Sequence, residues 1–188
     1  YTMPPDGLYG YNPDAPITTY DPEAARTMLD DLAPDLELFT GFTSSTRTRT
    51  EALIGFMDSI GVSVTGDARD LSEYNMVTSE SEYALTAIPI NMENFINFVE
   101  LYMLAEGAFN PFDVVDEDIA ALYAEAQTLT LEEAEPLYQE ISALIMERCY
   151  VKPLAVSSIA IAFSPGVDAD LRLRTNAYFD VRTLSVDR

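Results

Sequence analysis

Residues 47–65 read RTRTEALIGFMDSIGVSVT. Leu53, Ile54, Phe56, Met57 and Ile60 recur at spacings of three and four, which places them close to one face of an α-helix. Gly61 follows at once and is the residue best able to take the left-handed turn that ends a helix. Val62-Ser63-Val64-Thr65 then alternates branched residues, as a short strand does. Upstream, Leu36-Glu37-Leu38-Phe39 is a second strand candidate. Strand, helix and strand with brief links form a βαβ crossover, so the two strands are expected to be parallel and the connection right-handed. Both faces of such a sheet need cover, which fits an α/β lobe with a mixed sheet and flanking helices. The stretch is expected to be the element around which the chain packs, with Phe56 in the core.

Composition narrows the function. The chain has 188 residues, 48% of them hydrophobic, enough for one cored domain and short for two. Its formal net charge is −22, and Lys152 is its one lysine. Nucleic acid is excluded as a partner, because phosphate contacts need clustered Lys and Arg. The acids read as a solvated surface. With no histidine, Ser-His and Cys-His catalysis and imidazole metal ligation are unavailable to the chain. A single cysteine, Cys149, cannot form an internal disulfide, and it reads as a small buried residue near the end of an apolar helix. No run is long enough to span a bilayer as a helix. The chain begins at Tyr1 without an initiator methionine or signal peptide, and we expect it to be a piece of a longer protein.

Along the chain, residues 1–20 are rich in proline, glycine and tyrosine and read as an extended leader lying on the lobe of residues 21–188. Tyr9, Tyr11 and Tyr20 are candidates to pin it. Asp21-Pro22 opens a helix with an N-cap and a first-position proline, and Ala25, Met28, Leu29 and Leu32 form its stripe. Pro34 closes that segment. After the central stretch, Leu71–Val77 reads as a short helix and Tyr83–Ile90 as an interior strand. Phe95, Phe98, Val99 and Tyr102 mark a helix face. Asp116-Glu117-Asp118 opens another helix, with Ile119, Leu122, Tyr123 and Ala126 as its stripe. Thr130 and Glu133 make a capping-box pair for a further helix bearing Ala134, Leu137, Tyr138, Ile141, Leu144 and Ile145. Pro136 lies deep in it and suggests a kink or a later start. Lys152–Val156, Ile159–Phe163 and Val181–Val186 read as strands, with a turn at Ser164-Pro165-Gly166.

Side chains that carry chemistry are few. Paired carboxylates occur at Asp30-Asp31, Asp116 with Asp118, and Glu132-Glu133, and two carboxylates can run glycoside hydrolysis when held at the right distance. Most sit at helix starts or on polar helix faces, so they read as caps and solvated groups. Asp113, Asp116 and Asp118 approach calcium-loop spacing but lack the loop's glycine and its later glutamate. Thr43-Ser44-Ser45-Thr46 has neither a base nor a glycine-rich cradle and reads as loop. No catalytic residue, cofactor or metal site is assigned.

The order of segments resembles a known family. Tyr20-Asp21-Pro22-Glu23-Ala24-Ala25-Arg26-Thr27-Met28-Leu29 is similar to the "Y-D-P-E-K-A-K-x-L-L" helix of the family 5 extracellular solute-binding proteins, the receptors of peptide and nickel ABC importers. In register behind it, Ser59-Ile60-Gly61-Val62-Ser63-Val64 resembles "L-x-x-I-G-I-x-V", and Tyr83-Ala84-Leu85 resembles the "Y-D-hydrophobic" strand. Leu137-Tyr138-Gln139-Glu140-Ile141 resembles "L-Y-x-x-x-Q", Lys152-Pro153-Leu154 the "I-P-L" strand, and Phe163-Ser164-Pro165-Gly166-Val167 a common tail turn. The resemblance covers most of the chain. The peptide-binding members' "G-W-x-x-D-Y-x-x-P" stretch corresponds to Ile88–Asn94, where there is no tryptophan and no aspartate and where Glu93 is the acid.

The resemblance implies a periplasmic-binding-protein-like fold, this chain being the C-terminal lobe of a two-lobe receptor whose N-terminal lobe, signal and anchor lie outside it. It implies a small polar solute, oligopeptides among the candidates, bound in an interlobe cleft outside the cytoplasm and delivered to an ABC permease without covalent chemistry. Asn91, Glu93 and Asn94 are the ligand-binding candidates, since their amide and carboxylate groups offer donors and acceptors. Asn94 as a plain helix cap is the alternative. A carboxylate-dependent hydrolase and an α/β protein-interaction module stand as alternative functions. With no histidine and no paired cysteine, the chain dialysed after exposure to zinc or nickel is expected to retain no stoichiometric metal by atomic absorption.

Overall fold

The computed structural model describes residues 1–32, 37–68, 70, 85–86, 94–110, 115–156, 162, 164–169 and 184–186. They form helices α1 (Pro22–Leu32), α2 (Arg47–Ser59), α3 (Phe95–Tyr102), α4 (Glu117–Ala126) and α5 (Leu131–Glu147). The strands are β1 (Glu37–Phe42), β2 (Ser63–Ala68), β3 (Leu85–Thr86), β4 (Val167–Ala169) and β5 (Leu184–Val186). Two compact units result. One takes in Tyr1–Ile17, Asn91–Glu100 and Asp116–Arg188; the other takes in Thr18–Ile90 and Leu101–Val115.

The second unit holds a parallel sheet ordered β2-β1-β3. β1 runs parallel to β2 from Glu37↔Ser63 to Phe42↔Ala68, and parallel to β3 at Thr40↔Leu85 and Gly41↔Thr86. The expected crossover through α2 is therefore present. α2 stops as its sequence dictates: Gly61 takes φ 93°, the Gly61 N–H donates to Asp58 O, and the Val62 N–H donates to Met57 O. These two bonds satisfy carbonyls that the helix end leaves free. Val62, one residue past that glycine, is buried. α1 begins at Asp21, whose Oδ1 accepts the Ala24 N–H at 2.9 Å.

The first unit contains the apolar core. Phe95, Phe98 and Val99 of α3, Ile119 and Ala126 of α4, and Ala134, Tyr138, Ile141, Ile145 and Met146 of α5 are buried. Phe95 meets the Tyr138 ring edge-on at 6.3 Å, and Tyr123 meets it edge-on at 6.5 Å. Asp116 caps α4, and Thr130 with Glu133 closes the expected capping box of α5. The leader runs over α5. Ser142 Oγ donates to Met3 O at 2.7 Å, Tyr9 Oη donates to Leu131 O at 2.6 Å, the Asn12 amide donates to Gln139 O at 2.9 Å, and the Gln139 amide donates to Tyr11 O at 3.2 Å. Gly10 sits at φ 79°, and a Cβ there would lie 2.7 Å from Phe95 Cδ1. The leader's approach to the core therefore requires glycine at this point. A short antiparallel pair, β4 with β5, lies after the Pro165-Gly166 turn.

Several expectations are corrected. Phe56 is 64% exposed, and the only buried residue of α2 is Thr50. At about 100° per residue the inward face runs through Thr50, Leu53, Ile54 and Met57 and leaves Phe56 to one side. A polar residue heads that face, and an apolar count misplaces it. Cys149 is exposed. It lies beyond the helix end with φ 57°, where the chain turns away from the core. Lys152–Val156 forms no strand, in keeping with the missing donor of Pro153. α5 starts at Leu131, ahead of Pro136, because the capping box fixes its first turn. The parallel sheet and the antiparallel pair are separate sheets among the described residues. The expected helix at Leu71–Val77, the strand at Ile159–Phe163 apart from Ala162, and Pro34 lie outside the described residues.

Ile141→Ala is expected to cost ~2–5 kcal/mol, as buried Ile truncations do. Phe56→Ala should stay within about 0.5 kcal/mol, as exposed substitutions do. Denaturant midpoints of the two variants check both.

Candidate functional site

All three strands of the parallel sheet point the same way, so their carboxyl ends share one edge. In open α/β sheets ligands collect outside that edge. The segment leaving β1 there is Thr43-Ser44-Ser45-Thr46, followed by the first turn of α2. Its hydroxyls fold it back on itself. The Thr43 N–H donates to Thr46 Oγ1 at 3.0 Å, Thr43 Oγ1 and Ser45 Oγ share a bond at 2.9 Å, and Thr46 Oγ1 reaches Thr43 O at 3.3 Å. Thr46 is the N-cap of α2, yet its side chain caps nothing. The first turn of α2 contains no acid; it contains Arg47 and Arg49. Arg47 lies 3.5 Å from Glu51 in an exposed pair. Thr50 is buried, and its Oγ1 has no hydrogen-bond partner among the described residues. A helix start already carries partial positive charge. The two guanidiniums add to it, with Arg47 partly offset by Glu51 and Arg49 reaching Ser45 O at 3.5 Å, and the helix start with them is suited to an anionic group.

Reading the sequence missed this segment. Thr43–Thr46 read as plain loop for want of a base or a glycine cradle. The signal was the alternation of Thr and Arg at a helix start in a chain with 10 basic residues.

Of the candidates named from sequence, Asn94 is exposed and caps α3, its Oδ1 accepting the Asn97 N–H at 2.7 Å. That is the structural role weighed as its alternative. Asn91 and Glu93 lie outside the described residues.

The best-connected polar cluster has a structural purpose. Asp116 Oδ1 accepts the N–H groups of Asp118 and Ile119 at the start of α4, at 3.1 and 3.2 Å. Its Oδ2 accepts Tyr150 Oη at 2.9 Å and is paired with the Arg148 guanidinium, whose other amino group pairs with Asp118. Burial opposes the Asp116 charge, but the bonds from Arg148, the Ile119 N–H and Tyr150 outweigh it and hold the carboxyl below the usual aspartate range. The Tyr150 phenol is pushed up, chiefly by its bond to that carboxylate. Every oxygen lone pair is committed to tying the end of α5 to the start of α4. Among the described residues no group of three or more His, Cys, Asp or Glu is placed to hold a metal, and no helix is long and apolar enough to cross a membrane.

No family model matches the sequence, and no curated protein matches it. Solved structures do. The ABC transporter substrate-binding protein CtaP of Listeria monocytogenes superposes with a TM-score of 0.82 at 15% identity, over 96% of this chain and 40% of its own. HbpA2 of Haemophilus parasuis gives 0.80 at 21%, over 98% and 39%. The murein tripeptide binding protein MppA of Escherichia coli gives 0.74 at 16%, over 97% and 38%. The chain thus has the fold of ABC-transporter substrate-binding proteins and spans about two fifths of their length, in line with the resemblance read from its motifs.

Asp116→Asn keeps an oxygen for the cap and removes the charge. Because the native carboxyl titrates below its unfolded value of 3.8, its contribution is full above that pH and is lost as pH falls through the native value. The variant is expected to be less stable than wild type at neutral pH, with the gap closing as pH drops below about 4. Thermal melts across pH check this.

Proposed function

We propose that the chain is the C-terminal lobe, an α/β lobe of residues 21–188 with leader 1–20, of the two-lobe substrate-binding component of an ABC importer. It binds a small solute outside the cytoplasm and passes it to a membrane permease, with an N-terminal lobe completing the cleft by hinge closure. The observation that carries this reading is the superposition on CtaP with a TM-score of 0.82 over 96% of the chain. That the three structures compared include an ABC-transporter substrate-binding protein and a tripeptide-binding protein supports binding over covalent chemistry.

Two sets of residues are offered as solute contacts. Asn91 and Glu93 follow β3 in sequence, and Asn94 adds the amide N–H groups that its capping oxygen leaves over. At the carboxyl end of β1, the first turn of α2 with Arg47 and Arg49 suits an anionic group of the solute, such as a peptide carboxylate.

Calorimetry on the whole receptor tests this with short peptides having free or amidated carboxyl ends. Free peptides should bind, and amidation should weaken them roughly tenfold, the worth of one charge-assisted bond. Arg47→Ala combined with Arg49→Ala should abolish that difference, and Asn91→Ala and Glu93→Ala should weaken both forms with little change in Tm. Release of cleaved product would favour the hydrolase instead. Equal affinity in every variant would remove the site from these residues.

A further inference from the structure

Each helix of the described structure has an acid in its last turn. The last turns hold Asp30 and Asp31 in α1, Asp58 in α2, Glu100 in α3, Glu125 in α4 and Glu147 in α5. None of the five has a basic residue there. A helix end carries partial negative charge from its free carbonyls, so an acid in the last turn is repelled and a cation is favoured. One such placement is unremarkable, but five of five amount to a pattern. Glu100 is half-buried and donates no charge relief, since it accepts Tyr123 Oη at 2.5 Å. The other five acids are exposed. Two arginines come near these ends: Arg26 of α1 donates to Ser59 O at the end of α2 at 2.5 Å, and Arg148, the C-cap of α5, has its guanidinium engaged by Asp116 and Asp118, so the acids at the ends of α1, α3, α4 and α5 are the ones left to dissolved cations.

The wider charge distribution acts the same way. The chain has 32 acids against 10 basic residues. Among the described residues with assigned burial, Asp116 is buried, Asp67 and Glu100 are half-buried, and the remaining acids face solvent. Compaction brings these like charges together and opposes folding. Both the helix-end repulsion and the general repulsion act between exposed charges, so dissolved ions screen both, with a Debye length of about 10 Å at 0.1 M and about 3 Å at 1 M.

We propose that this fold is conditional on salt: cations screening the acidic helix ends supply part of its stability, and the native state loosens as ionic strength falls. The inference concerns folding and does not rest on the solute-binding reading.

Thermal and urea unfolding of the chain in sodium chloride from about 0.05 to about 1 M tests it, with sucrose as the control, since sucrose strengthens burial without screening charge. The folding equilibrium constant should rise roughly tenfold or more over that range, given the usual size of the effects at the four helix ends without a cation of the protein's own against their carbonyls. Sucrose should not reproduce the rise seen at the low-salt end. A variant combining Asp31→Lys, Asp58→Lys, Glu125→Lys and Glu147→Lys should melt higher in low salt and respond less to added salt. The matching Asn and Gln set guards against misfolding of the Lys set and should give an intermediate slope. A melting temperature independent of salt, an equal response to sucrose, an undiminished salt slope in both variant sets, or a chain unfolded at every salt concentration would each overturn the proposal. Solute affinity is read separately and has no bearing on these outcomes.

Discussion

The bond from Ser142 Oγ to Met3 O joins residues 139 positions apart, inside the core. It shows the constraint under which the first unit is built. α5 is packed by α4 and by the leader, so it needs an apolar face and a second face that a non-helical segment can follow. A segment without regular structure cannot bury its backbone unless something accepts and donates to it. α5 supplies those partners. Ser142 takes the Met3 carbonyl, Gln139 bonds to the Tyr11 carbonyl and lends its own carbonyl to Asn12, and the start of the helix accepts Tyr9 Oη. Gly10 completes the fit, because any larger residue would meet Phe95 and Tyr138. The proline-rich leader is thus an integral part of the core's cover.

In the second unit the governing constraint is register. β1 pairs with β2 over six positions and with β3 over two, all parallel. Parallel pairing forces the chain to cross back through α2, and it gathers the strands' carboxyl ends at one edge. The segment that must leave β1 at that edge is therefore fixed by topology before its chemistry is considered. Its hydroxyls then bond among themselves, holding the loop without a helix cap.

Much of this architecture was legible. The βαβ unit, the Gly61 stop, the Asp21 and Asp116 caps, the Thr130–Glu133 box and the buried stripes of α3, α4 and α5 follow from spacing and capping chemistry, which are local. The errors arose where local pattern competes with tertiary context. Phe56 belongs to an apolar stripe by composition but stands off the inward face, which Thr50 leads. Cys149 follows the helix by one residue too many and turns outward. Lys152–Val156 has strand-like residues but a proline among them. For the site, reading was poorer still. Asn94 serves as a cap, and nothing local marks Thr43–Thr46 as lying at a sheet edge, because that depends on pairing between distant strands.

α2 stands apart from the other helices in its charges. α1, α4 and α5 begin with acids in the first turn, as the helix dipole favours. α2 begins with Arg47 and Arg49, against the dipole, and ends with Asp58, where the Arg26 guanidinium donates to Ser59 O at 2.5 Å and partly offsets that acid. An acid in the last turn is common to all five described helices, and at α2 the protein's own Arg26 meets the helix end. A basic helix start is different. In a chain of net charge −22 it runs against the general surface composition, with Arg47 paired to Glu51 one turn on. The opposed charges at the two ends therefore separate two demands on one helix. The carboxyl end shares the charge pattern that the protein meets everywhere on its surface. The amino end, at the carboxyl edge of the sheet, gathers two arginines, one paired with Glu51 and one reaching Ser45 O, where the helix dipole also favours a negatively charged group.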